Sequence, residues 1–271
     1  MKAPFVAAVA LVAVTFAGVA LAGPTSQLYL TTVNPNGSPT YIVTVQGNNV
    51  IQTITDAYGI GEFPIAVYGD IRTTGYSYID AVGGQYSLGG TPTGTSYLLQ
   101  SAVYAYDSTS DGFHNYLVDW DTGTVYQTAR DYTNPVALFT SSGSSNIGIT
   151  YDAANHSLWI SAYSGSLVSD YSLNGTLLSS FSTGHDFNVA LALDPADHTL
   201  WLANELWTSA NYHYLEQYST TGVLLSTGPY VGYAFGGEFD LALTTPEPGT
   251  LIMFGSGILG LAGVLRRKIN L

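Results

Sequence analysis

Hydrophobic residues fall into three regimes along the 271-residue chain. Phe5 to Leu21 is an uncharged, mostly apolar run behind a single charge, Lys2. Leu251 to Leu265 is a second run, fifteen residues without a charge, stopped by Arg266, Arg267 and Lys268. Between them, apolar and polar residues alternate in short stretches broken by Gly, Asn, Asp and Thr. That alternation marks half-buried strands, and the breaks supply the turns. The middle of the chain is therefore expected to be all-β.

The strands repeat. Ile147 onward (IGITYDAANHSLWISAYSG) aligns with Val189 onward (VALALDPADHTLWLANELW). Asp152 and Trp159 match Asp194 and Trp201 at a spacing of 42; Tyr171 and Gly175 match Tyr218 and Gly222 at 47. The second copy holds five extra residues around Leu206 to His213. Several strands per unit and a period of roughly 40–50 residues is the pattern of a β-propeller. Each copy reads as an inner strand (Ile147 to Tyr151, Val189 to Leu193), an Asp-x-x-x-His turn, a second strand, a third, a Gly turn and an outer strand. Fainter copies lie at Val45-Gln46-Gly47, at Tyr86 to Thr91 and at Asp119 to Val125, each read as third strand, turn and fourth strand. Tyr104 to Asp107 is read as opening an earlier copy, and Glu238 to Leu243 as a further inner strand. Five such turns predict five blades, or six if the first is degenerate. A β-sandwich would share the short strands but not the 42-residue self-match.

The repeats resemble those of lyase- or gluconolactonase-type and NHL-type propellers, in which an Asp-Pro is followed by Leu-Trp. Asp194-Pro195 with Leu200-Trp201 fits that pattern; Asp152 is followed by Ala153, and the N-terminal half lacks the Trp. The resemblance implies the architecture. In such propellers acids and Asn near the axis hold a catalytic metal, which implies Asp186, Glu205 and Glu238, near Asn188 and Asn204, as candidate Ca²⁺ ligands. No other cofactor is expected.

Composition narrows the partners. Only 9% of residues are charged, and cysteine is absent, so there is no disulfide, thiolate site or catalytic thiol. Between Gly23 and Glu247 two arginines stand against nineteen acids, a charge of −17. Such a body repels nucleic acid and anionic lipid. Divalent cations and neutral ligands such as glycans remain.

The two end runs read as addresses. Lys2, the apolar stretch and Ala20-Leu21-Ala22 form a secretory signal peptide over residues 1–22, with cleavage leaving Gly23 as the new N-terminus. At the other end the run, seventeen residues counting Gly249 and Thr250, spans about 25 Å if helical, near the lower limit for a membrane helix. Basic residues stay cytoplasmic, so the body faces outward. Pro246-Glu247-Pro248, the Gly-rich span 251–265 and the Arg266-Arg267 cluster resemble the PEP-CTERM sorting signal of Gram-negative bacteria that make exopolysaccharide. The resemblance implies recognition by an exosortase, cleavage near the triplet and removal of the anchor. The two prolines keep the segment extended and unpaired, as entry into an enzyme cleft requires.

No His-Glu-x-x-His, EF-hand or Gly-x-Ser-x-Gly motif is present. His156 and His198 share one turn position in successive copies and are read as turn residues. Trp207, Tyr212 and Tyr214, in and beside the five-residue insertion, are the candidate ligand-stacking aromatics. The chain is thus expected to comprise a signal peptide, a propeller over 23–243 and a sorting signal over 244–271. It passes through the secretion machinery, is held briefly in the inner membrane, and acts in the envelope or exopolysaccharide matrix. There it is a non-enzymatic binding or structural component, with exopolysaccharide or other envelope proteins as partners; the alternative is a secreted lyase- or lactonase-type enzyme using a divalent cation.

Overall fold

The structure is a computed structural model that describes residues 20–21, 23–33, 39–59, 61–76, 82–99, 103–142, 145–204 and 214–243. Its strands, in chain order, are β1 (Ala20–Leu21), β2 (Leu28–Val33), β3 (Thr40–Gln46), β4 (Asn49–Thr55), β5 (Ile65–Val67), β6 (Ile71–Thr73), β7 (Val82–Tyr86) and β8 (Pro92–Leu98). Then follow β9 (Ser108–Ser110), β10 (His114–Val118), β11 (Thr124–Ala129), β12 (Val136–Thr140), β13 (Asn146–Asp152), β14 (Ser157–Ala162), β15 (Leu167–Ser172) and β16 (Leu177–Ser182). The last are β17 (Asn188–Asp194), β18 (Thr199–Asn204), β19 (Tyr214–Ser219), β20 (Leu224–Tyr230) and β21 (Tyr233–Phe239), before a 3-10 turn at Leu241–Leu243.

These strands form five antiparallel blades. Four have the orders β5-β6-β7-β8, β9-β10-β11-β12, β13-β14-β15-β16 and β17-β18-β19-β20, with β1 added in parallel to the edge of the last. The remaining blade is β21-β2-β3-β4: the last strand of the chain is its inner strand, and the first strands complete it. The ring is thereby closed by pairing Leu28 with Phe239 and Val33 with Tyr233. Numbered from that composite blade, the five are blades 1 to 5.

Separate apolar clusters glue the blades together. Tyr29, Ile42 and Ile65 meet Tyr86 between blades 1 and 2; Tyr97 and Leu99 meet Leu117 and Tyr132 between 2 and 3. Tyr116 and Val118 meet Ile149 and Leu158 between 3 and 4; Trp159 and Val168 meet Leu191, Leu193 and Leu200 between 4 and 5. The outer strands leave side chains exposed, as at Leu177 and Leu178, while Ile54, Phe139 and Phe181 turn inward onto these clusters. Trp159 and Trp201, the repeat tryptophans, are both buried beside the inner strand of their own sheet.

At the axis the repeat reappears as hydrogen bonds. Asp107 Oδ2 accepts from Ile149 N at 3.2 Å and Thr109 Oγ1 from Tyr151 N at 2.9 Å, both 42 residues apart; Thr150 Oγ1 accepts from Leu193 N at 3.1 Å. Each of these three inner-strand amides thus bonds to the preceding blade. The Thr109 and Thr150 hydroxyls then donate to the Glu238 carboxyl of β21, and Asp107 Oδ1 accepts from Gly237 N at 3.0 Å. Glu238 and Asp107 are fully buried. Burial pushes both carboxyls well above the usual range, and the charge of Glu238 adds to the rise at Asp107. Gly236 and Gly237 permit this approach, since a Cβ on either would meet a backbone oxygen (Phe63 O at 2.4 Å, Ala190 O at 2.9 Å).

The structure gives five blades and corrects two local readings. The Asp119 to Val125 turn joins β10 to β11, second strand to third, not third to fourth. Its inner strand β9 is only three residues long, so the ordinal place of the turn is hidden in sequence. The last inner strand is Tyr233–Phe239, not 238–243, because its two glycines carry no strand signal. Tyr104 to Asp107 stands at the opening of blade 3, immediately before its inner strand β9. The Asp-x-x-x-His turns are as read: His156 and His198 hold φ 52 and 58, and Asp152 and Asp194 each accept an amide two residues on at 2.9 Å. Gly175 and Gly222 turn with φ 84 and 85.

Candidate functional site

Inner strands run parallel along the axis, so the ring has two distinct faces. One face carries the turns between first and second and between third and fourth strands; the other carries the second-to-third turns and the connections between blades.

Both ends of the described body lie on the first face. Gly23 sits against Gly47, where a Cβ would overlap the carbonyl oxygen, and Gly47 N donates to Pro24 O at 2.7 Å. Gln46 Nε2 reaches Thr25 O at 3.0 Å and Ser26 Oγ reaches Asp194 at 3.0 Å, so the expected new N-terminus is held across blades 1 and 5. The C-terminal turn at Leu241–Leu243 leaves the axis on the same face, with Ala242 N capped by Asp240 at 3.1 Å. A cavity of about 250 Å³ opens beside it, lined by Tyr151, Asp152, Leu193, Pro195, His198 and Leu241. His198 Nε2 lies 3.5 Å from Asp152 at its edge. This face also holds Arg72 and Arg130, which pair with opposite oxygens of Asp70 at 2.9 and 2.5 Å.

Aromatic rings from every blade converge on the opposite face. Two loop positions supply most of them. Phe63, Tyr106 and Phe187 precede the inner strands of blades 2, 3 and 5; Tyr76, Trp120 and Tyr163 follow the second strands of blades 2, 3 and 4. Phe235 of β21 completes the set. The rings touch in sequence: Tyr76 to Phe63 (centroids 5.1 Å apart), Phe63 to Phe235 (4.5 Å), Phe235 to Tyr106 (5.6 Å), Tyr106 to Trp120 (5.4 Å), Trp120 to Tyr163 (5.0 Å), Tyr163 to Phe187 (4.7 Å). Phe63 and Phe235 form a buried floor, while Tyr76, Tyr106, Trp120, Tyr163 and Phe187 are half-buried. Phe187 holds φ 67, a left-handed backbone that costs a bulky residue about 1–3 kcal/mol. That strain places its ring edge-on to Tyr163.

Polar groups surround the arc. Burial lifts the Tyr106 phenol above its ordinary value, helped by Tyr76, the exposed Asp121 carboxylate, Tyr163 and Tyr104. On blade 5, His185 Nε2 is 2.8 Å from Glu216 and its Nδ1 is 2.9 Å from the Asn204 amide. Burial alone would lower the His185 pKa; the Glu216 hydrogen bond and charge outweigh it and raise it. A cavity of about 110 Å³ opens at the same end of blade 4, among Ser142, Asn146, Ser164, Ser169 and Tyr171.

The residues singled out from sequence are dispersed. Glu238 is locked into the axial hydrogen bonds, whereas Asp186 is exposed in the connection before β17. Among the described residues no group of three His, Asp or Glu is placed to hold a metal ion. Tyr214 begins β19 and packs edge-on to Tyr230 of the outer strand. Glu205, Trp207 and Tyr212 lie outside the described residues, as do Ala22 and all five sorting residues, Pro246, Glu247, Pro248, Arg266 and Arg267. No helix among the described residues is long and apolar enough to cross a membrane, and residues 251–265 are not among them. Sequence reasoning missed the arc itself. Its signal is an aromatic before an inner strand or after a second strand in blades 2 to 5, with Phe235 inside the inner strand of blade 1.

Residues 244–268 match the PEP-CTERM protein-sorting motif. No curated protein matches the chain. Among solved structures, a chain of a nidogen/laminin complex is similar with a TM-score of 0.55 at 12% identity, covering 80% of this chain and 99% of that one. Virginiamycin B lyase from Staphylococcus aureus is similar with a TM-score of 0.46 at 12% identity, over 76% of this chain and 84% of its own. For Myxococcus xanthus glutaminyl cyclase the values are 0.48 and 15%, over 64% and 74%. At such identities the nidogen/laminin likeness is one of fold alone. The motif implies export, transient membrane anchoring and processing by an exosortase. The chain is a five-bladed β-propeller that ends in a PEP-CTERM protein-sorting motif.

Proposed function

We propose that this protein is an exported, exosortase-processed binding module whose aromatic face acts in the cell envelope or its polysaccharide matrix. The observation that carries the reading is the polarity of the ring. Both ends of the body leave one face, and the aromatic rings of five blades meet on the other. A tether at the first face would hold the mouth away from the membrane. Half-buried rings with phenolic edges offer apolar faces for sugar C–H groups and polar edges for hydroxyls.

Two measurements test this. Intact mass of the secreted protein is expected to show a body running from Gly23 to near Pro246, and Glu247→Ala is expected to leave the full C-terminus in the membrane fraction. Retention of the mature protein in gels containing matrix polysaccharide from the producing cells tests binding. Trp120→Ala is expected to weaken it about tenfold, since buried aromatic anchors dominate such contacts. Equal migration of wild type with and without polysaccharide would remove the binding reading.

A catalytic reading has one observation of its own, the His185–Glu216 pair at 2.8 Å beside Phe187 on the same face. A carboxylate-held imidazole is a general-base arrangement. It requires turnover of a bound ligand, visible as product by mass spectrometry and lost in His185→Gln.

A further inference from the structure

We infer that the ligand of the aromatic mouth is an amino sugar carrying a free ammonium group. The inference rests on the binding reading above and names its ligand class.

Charge excludes the acidic sugars. Asp121 stands exposed beside Tyr106, and Asp186 stands exposed beside Phe187. Arg72 and Arg130 are on the other face and share Asp70. Among the described residues the cationic candidate near the mouth is His185, which is matched by Glu216. A body with −17 between Gly23 and Glu247 adds a long-range field of the same sign. An anionic ligand meets only repulsion here, while a cation is drawn in and gains from the ring faces.

Shape and polarity favour a sugar over a lysine side chain. A pyranose ring is rigid and presents a broad C–H face to Trp120 or Tyr163. A lysine stem must give up the rotamer freedom of four rotatable bonds to reach the same rings. Tyr76, Tyr104 and Tyr163 also gather around the Tyr106 phenol, which gives ring hydroxyls partners within one patch. Near that patch, Asp121 supplies the counter-charge for an amine.

The test is calorimetric titration of the mature secreted protein with three probes: a β-linked glucosamine tetramer, its fully N-acetylated counterpart and hexalysine. The glucosamine tetramer is expected to bind at least tenfold tighter than the acetylated one, with the advantage shrinking as salt rises. Asp121→Asn should erase that advantage while keeping the acetylated tetramer's affinity; Trp120→Ala should weaken both. An unchanged melting temperature in Asp121→Asn, an exposed position, shows that the variant is folded. Equal affinity for the two tetramers would refute the ammonium and leave a neutral sugar-binding mouth. Tighter binding of hexalysine than of the glucosamine tetramer would refute the sugar. Heat-silent titrations with all three would overturn the binding reading itself.

Discussion

Asp70→Ala is expected to lower the unfolding free energy by about 3–5 kcal/mol, the cost of breaking a partly buried ion pair from one side. Asp70 lies in the turn between β5 and β6, and its two oxygens hold both arginines of the body. Arg130 belongs to blade 3 and also donates to Ser110 Oγ at 2.5 Å and to Tyr68 O at 3.4 Å. Arg72 belongs to blade 2 and reaches the Arg130 carbonyl at 3.0 Å. Removing the carboxylate leaves two guanidinium groups together, Arg72 with its side chain 20% exposed and Arg130 with 14%. For a domain of this size the melting temperature should fall on the order of 10 °C. Urea denaturation of wild type, Asp70→Ala and Asp70→Asn measures it. A change below 1 kcal/mol in Asp70→Ala would mean that blades 2 and 3 are held by their apolar contacts alone.

Glu238 is expected to matter through both packing and pH. Glu238→Ala removes the acceptor for Thr109 and Thr150 and opens a cavity at the axis, a loss of roughly 3–5 kcal/mol. Glu238→Gln separates the charge from the packing. The folded pKa of Glu238 is raised by burial above its unfolded value, so the folded state keeps a proton that the unfolded chain releases. The stability it contributes is therefore present below the unfolded pKa and is lost as pH climbs toward the folded pKa. Glutamine mimics the protonated acid and titrates in neither state. Near pH 4.5 the variant should match wild type within about 1 kcal/mol. Its advantage should grow toward pH 8, because wild type pays for holding or losing that proton. The difference between the two curves isolates Glu238 from other titrating groups. A difference independent of pH would mean that Glu238 ionises as an ordinary carboxyl.

Blades 4 and 5 were legible strand by strand. Their Asp-x-x-x-His turns, buried tryptophans and Gly turns are local devices, each fixed by backbone demands within a few residues. Blade 3 was legible as a turn and misread in order, since a Gly turn looks the same after a second strand as after a third. Blade 1 was half legible: Val45-Gln46-Gly47 turns β3 into β4, but the inner strand arrives from the far end of the chain. No periodicity reports a pairing between Leu30 and Gly237.

The candidate site divides the same way. Sequence directed attention to the insertion with Trp207, Tyr212 and Tyr214, because an extra loop is visible as a break in the repeat. Among the described residues the mouth draws one or two aromatics from each blade, spread from Phe63 to Phe235. Each is one among 21 tyrosines, 10 phenylalanines and 4 tryptophans, and only ring closure sums them.

By itself the sequence determined the repeat, the all-β class, the acidic surface and the sorting motif at the end, because those are properties of neighbouring residues. The tertiary structure decided that the ends share a face, that five blades pool their rings, and that Glu238 is an axial fastener. Those facts depend on which distant segments meet when the ring closes, and closure is a long-range pairing that no local pattern encodes.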